Sequence, residues 1–116
     1  MFKTGSAELG VEGKAQIKQL ADMLKTVTKK IPEKIKWVLR VDGHTDSVPI
    51  KTVRFPSNWE LSTARAISVV KYLVANDIPS ANLAATGFGK FQPLDPRDDE
   101  IANRRNRRIE LKLTQR

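Results

Sequence analysis

A long amphipathic stretch in the second half of the chain limits the possible folds more than any other feature. It starts after Ser57, which is followed three residues later by Glu60 as in a helix capping box, and it stops at Asn76 and Pro79. Its apolar positions follow helical spacing and are Leu61, Ala64, Ile67, Val70, Leu73 and Val74. A helix with so wide an apolar stripe must pack against another layer of structure.

Two runs typical of β-strands flank this helix. Residues 35–42 alternate apolar and charged side chains with the period of two that marks a strand, and residues 82–88 predict a second, shorter strand. Two strands joined through one helix favour a right-handed crossover, in which the strands are parallel. Between the first strand and the helix, residues 43–57 form a loop that contains two prolines.

Further elements are expected near both ends of the chain. Residues 7–31 carry apolar side chains every three or four positions before Pro32, which predicts a first helix that ends at Ile31. A strand at residues 2–6 is also expected. The last strand is indicated by the alternating apolar residues Ile109, Leu111 and Leu113.

The predicted fold class is α/β, or more narrowly α+β, in the order β-α-β-α-β-β. It is a two-layer sandwich in which two main helices pack on one face of a small mixed sheet, while the other face is solvated. We expect residues 1–116 to form a single domain.

Composition sets outer limits on the function. Lysine and arginine together number 21 against 13 acidic residues, and the net charge of +8 favours a polyanionic partner such as nucleic acid, an anionic membrane or an acidic cell-wall polymer. Because there is no cysteine, disulfides, thiolate nucleophiles and cysteine-ligated zinc are excluded. No apolar run approaches the roughly 20 residues of a membrane span, so the chain is either cytosolic or a piece of a longer exported or anchored protein.

The single histidine, His44, lies in VDGHTD between Asp42 and Asp46, where the first predicted strand ends. A metal site is not expected, because three ligands within five residues of one turn rarely surround an ion. A nucleophilic triad with Ser47 would need a GxSxG elbow, which the sequence lacks. A wall hydrolase that uses the two aspartates as acid and base remains an alternative, although nothing indicates a cleft between them.

Asp46 and Arg65 form a stronger combination, because a strand end and a neighbouring helix can bring them together. One interpretation is an ordinary ion pair. The other is that both stay unpaired, so that Asp46 accepts an ammonium and Arg65 binds a carboxylate, a grip suited to a zwitterionic amino-acid end. Asn58 either adds polar contacts or caps the second helix, a role that Ser57 can also fill.

Four arginines precede the last predicted strand. They are Arg104, Arg105, Arg107 and Arg108. A nucleic-acid-binding module that uses Arg104 to Arg108 is the main alternative function, but such a surface should interleave aromatic residues, and the nearest aromatic is Phe91. Strand alternation predicts that Arg107 shares a face with Ile109 and that Arg108 points the other way.

Five segments, in order and across nearly the whole chain, resemble the OmpA C-terminal-like peptidoglycan-binding domain. They are FKTGSAEL, VDGHTD, SNWELSTARAISVVKYL, ATGFGKFQP and NRRNRRIEL, and FPSNWELSTARA looks most like the MotB branch of flagellar stator proteins. The resemblance implies a non-enzymatic module that grips the diaminopimelate of the peptidoglycan stem peptide and anchors a membrane protein to the wall. It also implies a periplasmic location in a Gram-negative-type envelope.

The same resemblance assigns ligand-binding roles to individual residues. The key aspartate falls on Asp46, the helix-start asparagine on Asn58 and the helix arginine on Arg65. The arginine of the NRR signature falls on Arg107, with Arg104 one repeat earlier as the alternative. His44 is implied to order the loop.

Thr45, Leu61 and Arg104 are secondary candidates for the same site. No catalytic residue, metal or cofactor is expected. The expected partner is peptidoglycan, with a second copy of the chain as a further expectation. Nucleic acid is not expected, and membrane contact is expected only through flanking segments.

Overall fold

Three strands form one mixed sheet, and helices cover one of its faces, in the computed structural model, which describes residues 2–3 and 5–115. The helices and strands in chain order are α1 (Val11–Thr28), β1 (Trp37–His44), α2 (Asn58–Ala75), β2 (Leu83–Gly87), α3 (Glu100–Asn106) and β3 (Arg108–Gln115). β1 is central, parallel to β2 and antiparallel to β3. The predicted fold class, two main helices on one face of a small mixed sheet, is confirmed.

The hydrophobic core lies between α1, α2 and the sheet. Its buried side chains are Ile17, Ala21, Leu24, Leu39, Val41, Ala66, Val69, Leu73 and Ile78. Leu73, Val69 and Val41 are completely inaccessible to solvent. Burial of one such side chain stabilises the fold by about 1.5 to 3 kcal/mol. Within the described residues, no helix combines the length and the apolar character that a membrane crossing requires.

Two glycines bring the first half of α2 against the ends of the parallel strands. A Cβ atom on Gly43 would overlap the backbone carbonyl of Ser62, and one on Gly87 would overlap Thr63. Neither position can therefore carry a side chain without moving the helix. This close approach fixes the start of α2 beside the loop that follows β1.

The buried face of α2 is rotated from the predicted stripe. Ile67 and Val74, both predicted to be apolar contacts, are each 40% exposed. The residues that are buried instead are Leu61, Ser62, Arg65, Ala66, Val69 and Leu73. The prediction is wrong here because Ser62 and Arg65 are polar yet buried, and a hydrophobic pattern cannot count them.

The first 30 residues also differ from the prediction. No strand forms in the described part of residues 2–6, where Phe2 makes only an isolated antiparallel bridge with Leu9, and residue 4 lies outside the described residues. α1 ends at Thr28 instead of Ile31. The chain tightens there into turns closed by bonds between residues three apart, from the Ile31 amide to the Thr28 carbonyl among others.

Helix α3 contains the first two of the four arginines that were expected to lead directly into the last strand. The side chain of Asp99 caps it by accepting a hydrogen bond from the Ala102 amide at 2.8 Å. Arg107 is the residue after this helix and β3 begins only at Arg108, so Arg107 does not share a strand face with Ile109. The prediction failed because seven residues are too few to show an apolar period.

The sheet face away from the helices is not simply solvated. Asp42 lies on it with no exposed surface, because Arg40 covers it with two hydrogen bonds of 2.8 and 2.9 Å. Lys112 approaches the same carboxylate to 3.9 Å. Charged side chains of the sheet therefore shield this face, although no second layer of helices formed by the described residues covers it.

Candidate functional site

A cavity of about 350 Å³ opens where β1 ends and α2 begins. The residues that line it are Gly5, Thr45, Asp46, Val48, Pro49, Ile50, Asn58, Leu61, Arg65, Glu100 and Arg107. The structure thus brings together the four residues to which ligand binding was assigned, Asp46, Asn58, Arg65 and Arg107. Two of the secondary candidates, Thr45 and Leu61, are buried in its wall.

Asp46 sits in this cavity with its carboxylate already hydrogen-bonded. Its Oδ1 accepts the Val48 amide at 3.0 Å, and its Oδ2 accepts Nη1 of Arg107 at 2.6 Å. Asp46 and Arg65, both among the described residues, form no ion pair with each other. The simple Asp46–Arg65 pair is therefore not formed, but the expectation that Asp46 is unpaired is also wrong, because Arg107 occupies one of its oxygens.

Arg65 is held by the segment before α1. Its Nε donates to the Ser6 carbonyl at 2.9 Å and its Nη2 donates to the Lys3 carbonyl at 3.2 Å, while the ring of Phe2 lies 5.2 Å from the guanidinium carbon. Burial lowers the pKa of Arg65, the charge of Asp46 opposes that shift, and the charge of Arg107 adds to it. The group nevertheless stays charged, as arginine does in proteins.

Arg107 connects two acids at the rim of the cavity. Besides Asp46 it contacts Glu100, whose Oε1 accepts Nη2 at 3.0 Å. The hydrogen bond to Glu100 contributes most to raising the pKa of Arg107, burial opposes the shift, and Asp46 adds to it. Acidic and basic groups therefore alternate along the wall from Glu100 through Arg107 and Asp46 towards Arg65.

Asn58 orders the loop and does not cap the helix. Its Nδ2 donates to the Val48 carbonyl at 3.1 Å, which ties the loop after Asp46 to the first turn of α2. Ser57 is the N-cap: its hydroxyl accepts the Trp59 amide at 3.2 Å and also contacts Glu60. Because Ser57 provides the cap, helix capping is not the role of Asn58.

Arg104 lies apart from Asp46. It lines a second cavity of about 270 Å³, next to Arg65, Arg107 and Arg108, and its own side chain is mostly exposed. Of the two arginines that the doubled NRR leaves open, the structure places Arg107 against Asp46.

His44 and Asp42 face away from the main cavity. The His44 ring stacks on Phe88 at 4.9 Å between centroids, and its Nε2 lies 3.6 Å from Glu110. Ser47 donates to Asp98 at 3.1 Å. The geometry therefore assembles neither a serine triad nor a facing pair of aspartates, and the described residues contain no cluster of His, Cys, Asp and Glu suited to a metal ion.

The four neighbouring arginines all have acidic partners. These pairs are Arg104 with Glu100, Arg105 with Asp95, Arg107 with Asp46 and Glu100, and Arg108 with Glu110. An arginine row that binds phosphates would instead present its guanidinium groups on one open surface. The arrangement favours internal pairing over a nucleic-acid surface.

Two polar residues, one in the main cavity and one beside it, were not predicted. Glu100 lies seven residues before Arg107, a helical spacing that would have revealed it had α3 been recognised. Asn106 lines a neighbouring cavity and fixes the loop there: its Oδ1 accepts the amides of Leu94 and Asp95, and its Nδ2 donates to the Asp95 carbonyl. No local pattern in the sequence indicates this role of Asn106.

Comparison with known proteins identifies relatives of this chain. The chain is 35% identical to the uncharacterized protein YtxE of Bacillus subtilis (strain 168) over 112 residues, which are 96% of this chain and 43% of that protein. It is 35% identical over 72 residues to the peptidoglycan-associated lipoprotein of Pseudomonas aeruginosa, with 62% of this chain and 40% of the relative covered. The chain thus spans less than half the length of either relative.

Comparison with solved structures and with protein families gives relatives of the same kind. A putative MotB-like protein from Desulfovibrio vulgaris superposes with a TM-score of 0.85 at 30% identity, over 99% of this chain and 67% of that one. Residues 1–107 match the OmpA family. With the match extending over nearly its whole length, this chain belongs to the OmpA family.

Proposed function

We propose that this domain binds peptidoglycan non-covalently through the diaminopimelate of the stem peptide, and so anchors a membrane protein or complex to the cell wall. Membership of the OmpA family and similarity to a peptidoglycan-associated lipoprotein support the general role. The cavity supports the finer one, because it places a carboxylate and a buried guanidinium on the walls of one space of about 350 Å³.

The observation that carries the proposal is that Asp46 and Arg65 line this cavity without bonding to each other. A carboxylate has about four acceptor positions, and two of them are used on Asp46, so an ammonium can still bind there. Among the described residues Nη1 of Arg65 has no hydrogen-bond partner, which leaves it for a carboxylate. The free end of diaminopimelate carries both groups on one carbon.

Arg107 has a supporting role in this proposal. Its bond to Asp46 fixes the direction of the carboxylate, and its contact with Glu100 keeps the guanidinium at the rim. The guanidinium can then donate to carboxylate or carbonyl oxygens of the stem peptide that extend out of the cavity. Asn58 acts by holding the loop in place through Val48.

The proposal also covers the cellular location and the oligomeric state of the protein. It makes the domain a binding module that breaks no bond of the wall, in the periplasm of a Gram-negative-type envelope and, as the MotB resemblance implies, in a homodimer or a motor complex. Sedimentation equilibrium of the purified domain measures the oligomeric state.

Cosedimentation with insoluble peptidoglycan tests the binding function. Asp46→Ala and Arg65→Ala should each weaken binding by about 2 to 5 kcal/mol, because each leaves one charge of a desolvated contact without a partner. Asp22→Ala, which removes an exposed acid on α1, is the matched control and should bind like the unmodified protein. Circular dichroism verifies that all three variants are folded.

Three outcomes would contradict the proposal. Unchanged cosedimentation of both cavity variants would exclude this site. Steeply salt-dependent DNA or RNA binding that survives Asp46→Ala would favour the nucleic-acid alternative, and release of soluble wall fragments over time would favour a hydrolase.

A further inference from the structure

Two aromatic rings stand exposed beside the main cavity. Trp59 and Phe91 stack with their centroids 5.0 Å apart and 26° between their planes, yet they remain 51% and 56% exposed. Neither ring belongs to the buried core. Exposed tryptophan and phenylalanine leave apolar surface in water, and rings held in this way are typical of binding sites.

The backbone fixes the position of these rings. Gly89 has a φ of +60°, the left-handed region that favours glycine, and the resulting turn brings Phe91 onto Trp59. The amide of Gly89 donates to the Ser62 hydroxyl at 2.9 Å, and the carbonyl of Gly89 accepts the Thr45 amide at 2.9 Å. The turn is thus tied to both α2 and the strand end that leads to Asp46.

A cleft of about 170 Å³ opens beside the rings and continues towards the main cavity. Its lining includes Ser57, Trp59, Lys90 and Phe91, which the main cavity does not share. The wall that it shares with the main cavity consists of Pro49, Ile50 and Asn58. A ligand that fills the main cavity can therefore extend into this cleft without leaving the surface.

The lining fits a sugar ring better than a further amino acid. A pyranose has a face of C–H groups that packs on an aromatic ring, while its hydroxyl and amide groups point outward to polar neighbours. Ser57, Asn58 and Lys90 supply such neighbours around the cleft. The nitrogen of Lys90 lies 5.8 Å from the centre of the Phe91 ring, so its donors reach the rim of a ligand stacked there.

We propose that Trp59 and Phe91 form a second subsite, which binds an N-acetylated amino sugar of the glycan strand. This inference rests on the proposed function, since the glycan strand is the part of peptidoglycan that carries the stem peptide. The two subsites then bind two parts of one polymer, and the second contact raises the overall affinity because it forms at a high effective concentration.

Three ligands separate the two subsites. They are peptide-free glycan strands released by an amidase, the free stem peptide, and intact peptidoglycan. Trp59→Ala and Phe91→Ala should each weaken binding of glycan strands about tenfold, the factor expected when roughly 50 Å² of apolar contact is lost at about 25 cal/mol per Å². Both variants should bind the free stem peptide like the unmodified protein.

Two further variants serve as controls. Leu94→Ala removes another exposed apolar side chain of the same loop. It should change neither the binding of glycan strands nor the binding of the free stem peptide. Asp46→Ala should show the reverse pattern, with loss of the stem peptide and retention of glycan strands. Failure of the unmodified protein to bind the stem peptide would overturn the proposed function, whereas the glycan arm reports on the sugar subsite by itself.

Fluorescence gives a measurement that does not depend on an alanine variant folding. In a Trp37→Phe background Trp59 is the remaining tryptophan, and glycan strands should shift its emission to shorter wavelength as the ring leaves water. An unchanged spectrum, together with unchanged glycan binding by Trp59→Ala and Phe91→Ala, overturns the inference.

Discussion

The two halves of helix α2 are buried to the same degree by opposite means. In its second half Val69 and Leu73 have no exposed surface and contact other apolar side chains. In its first half Ser62 is just as inaccessible and Arg65 is only 5% exposed, yet both are polar. The comparison teaches that one helix can supply the core with one end and a binding site with the other.

The difference lies in what each half requires of its neighbours. Apolar side chains need only close packing, whereas a buried polar group must be hydrogen-bonded or it destabilises the fold. Ser62 accepts from the Gly89 amide and donates to the Trp59 carbonyl. Arg65 donates to two carbonyls before α1. The polar half therefore depends on loops that are distant in sequence.

The largest expected effect is a loss of stability, without a change in binding, when the apolar half of α2 is altered. Leu73→Ala should lower the free energy of unfolding by about 3 to 5 kcal/mol, because a fully buried leucine leaves a cavity. Urea unfolding measures this change. The affinity of the folded fraction for the stem peptide should stay the same, and a clear change in affinity would break the comparison between the two halves.

Arg65→Met should affect both quantities. Loss of two charge-assisted hydrogen bonds should lower the free energy of unfolding by about 2 to 3 kcal/mol, and binding of the stem peptide should disappear. Arg65→Lys is the control, since it keeps the charge but not the planar set of donors. If Arg65→Met binds normally, the polar half is only structural.

Ser62→Ala tests the polar half at a residue that does not line the cavity. It should lower the free energy of unfolding by about 1 kcal/mol, because the Gly89 amide loses its acceptor in a buried place. Urea unfolding measures the loss, and glycan binding should weaken slightly as the turn before Phe91 loosens. A variant as stable as the unmodified protein would contradict the role assigned to this bond.

The smallest expected effect concerns pH, and it should come from His44, the last residue of β1. Burial is the main cause that lowers the pKa of His44, and Arg108 and Lys112 act in the same direction against Glu110 and Asp42. The unfolded chain, with a pKa near 6.5, then binds the proton more tightly than the native state. Stability should fall as pH decreases through 6.5 and level off below the native pKa.

Urea unfolding between pH 7.5 and 5 measures this decrease in the free energy of unfolding. The decrease should be less than about 1 kcal/mol because solvent screens the partly accessible charges. His44→Gln should remove it. Asp95 does not interfere, since its side-chain bond with Arg97 is the largest cause that lowers its pKa to about 2, well below this range. An equal slope in His44→Gln would assign the proton to another group.

The parts of the fold that the sequence predicts are those with a regular period. β1, α2 and β3 follow from alternation and helical spacing, and Asp46 and Arg65 then fall at a strand end and on the neighbouring helix. Their convergence on one cavity follows from this order, because a strand that leads into a helix on the same sheet brings its end near the first helical turns.

The remaining parts depend on contacts between distant residues. Arg107 and Asp46 are 61 positions apart, and Arg65 finds its acceptors 59 and 62 positions away. Such bonds leave no periodic trace. They explain why the polar residue Arg65 is buried on a face of α2 that was not predicted, and why Asp46 was expected to be unpaired.

The central place of β1 has a mechanical consequence. A pull applied at Asp46 along the axis of β1 would load this strand, which is paired at five positions with β2 and at eight with β3. These pairs lie side by side across the direction of the force, so the ladder must shear as a unit and cannot open one bond at a time. The same strand order that forms the site therefore suits it to bear tension.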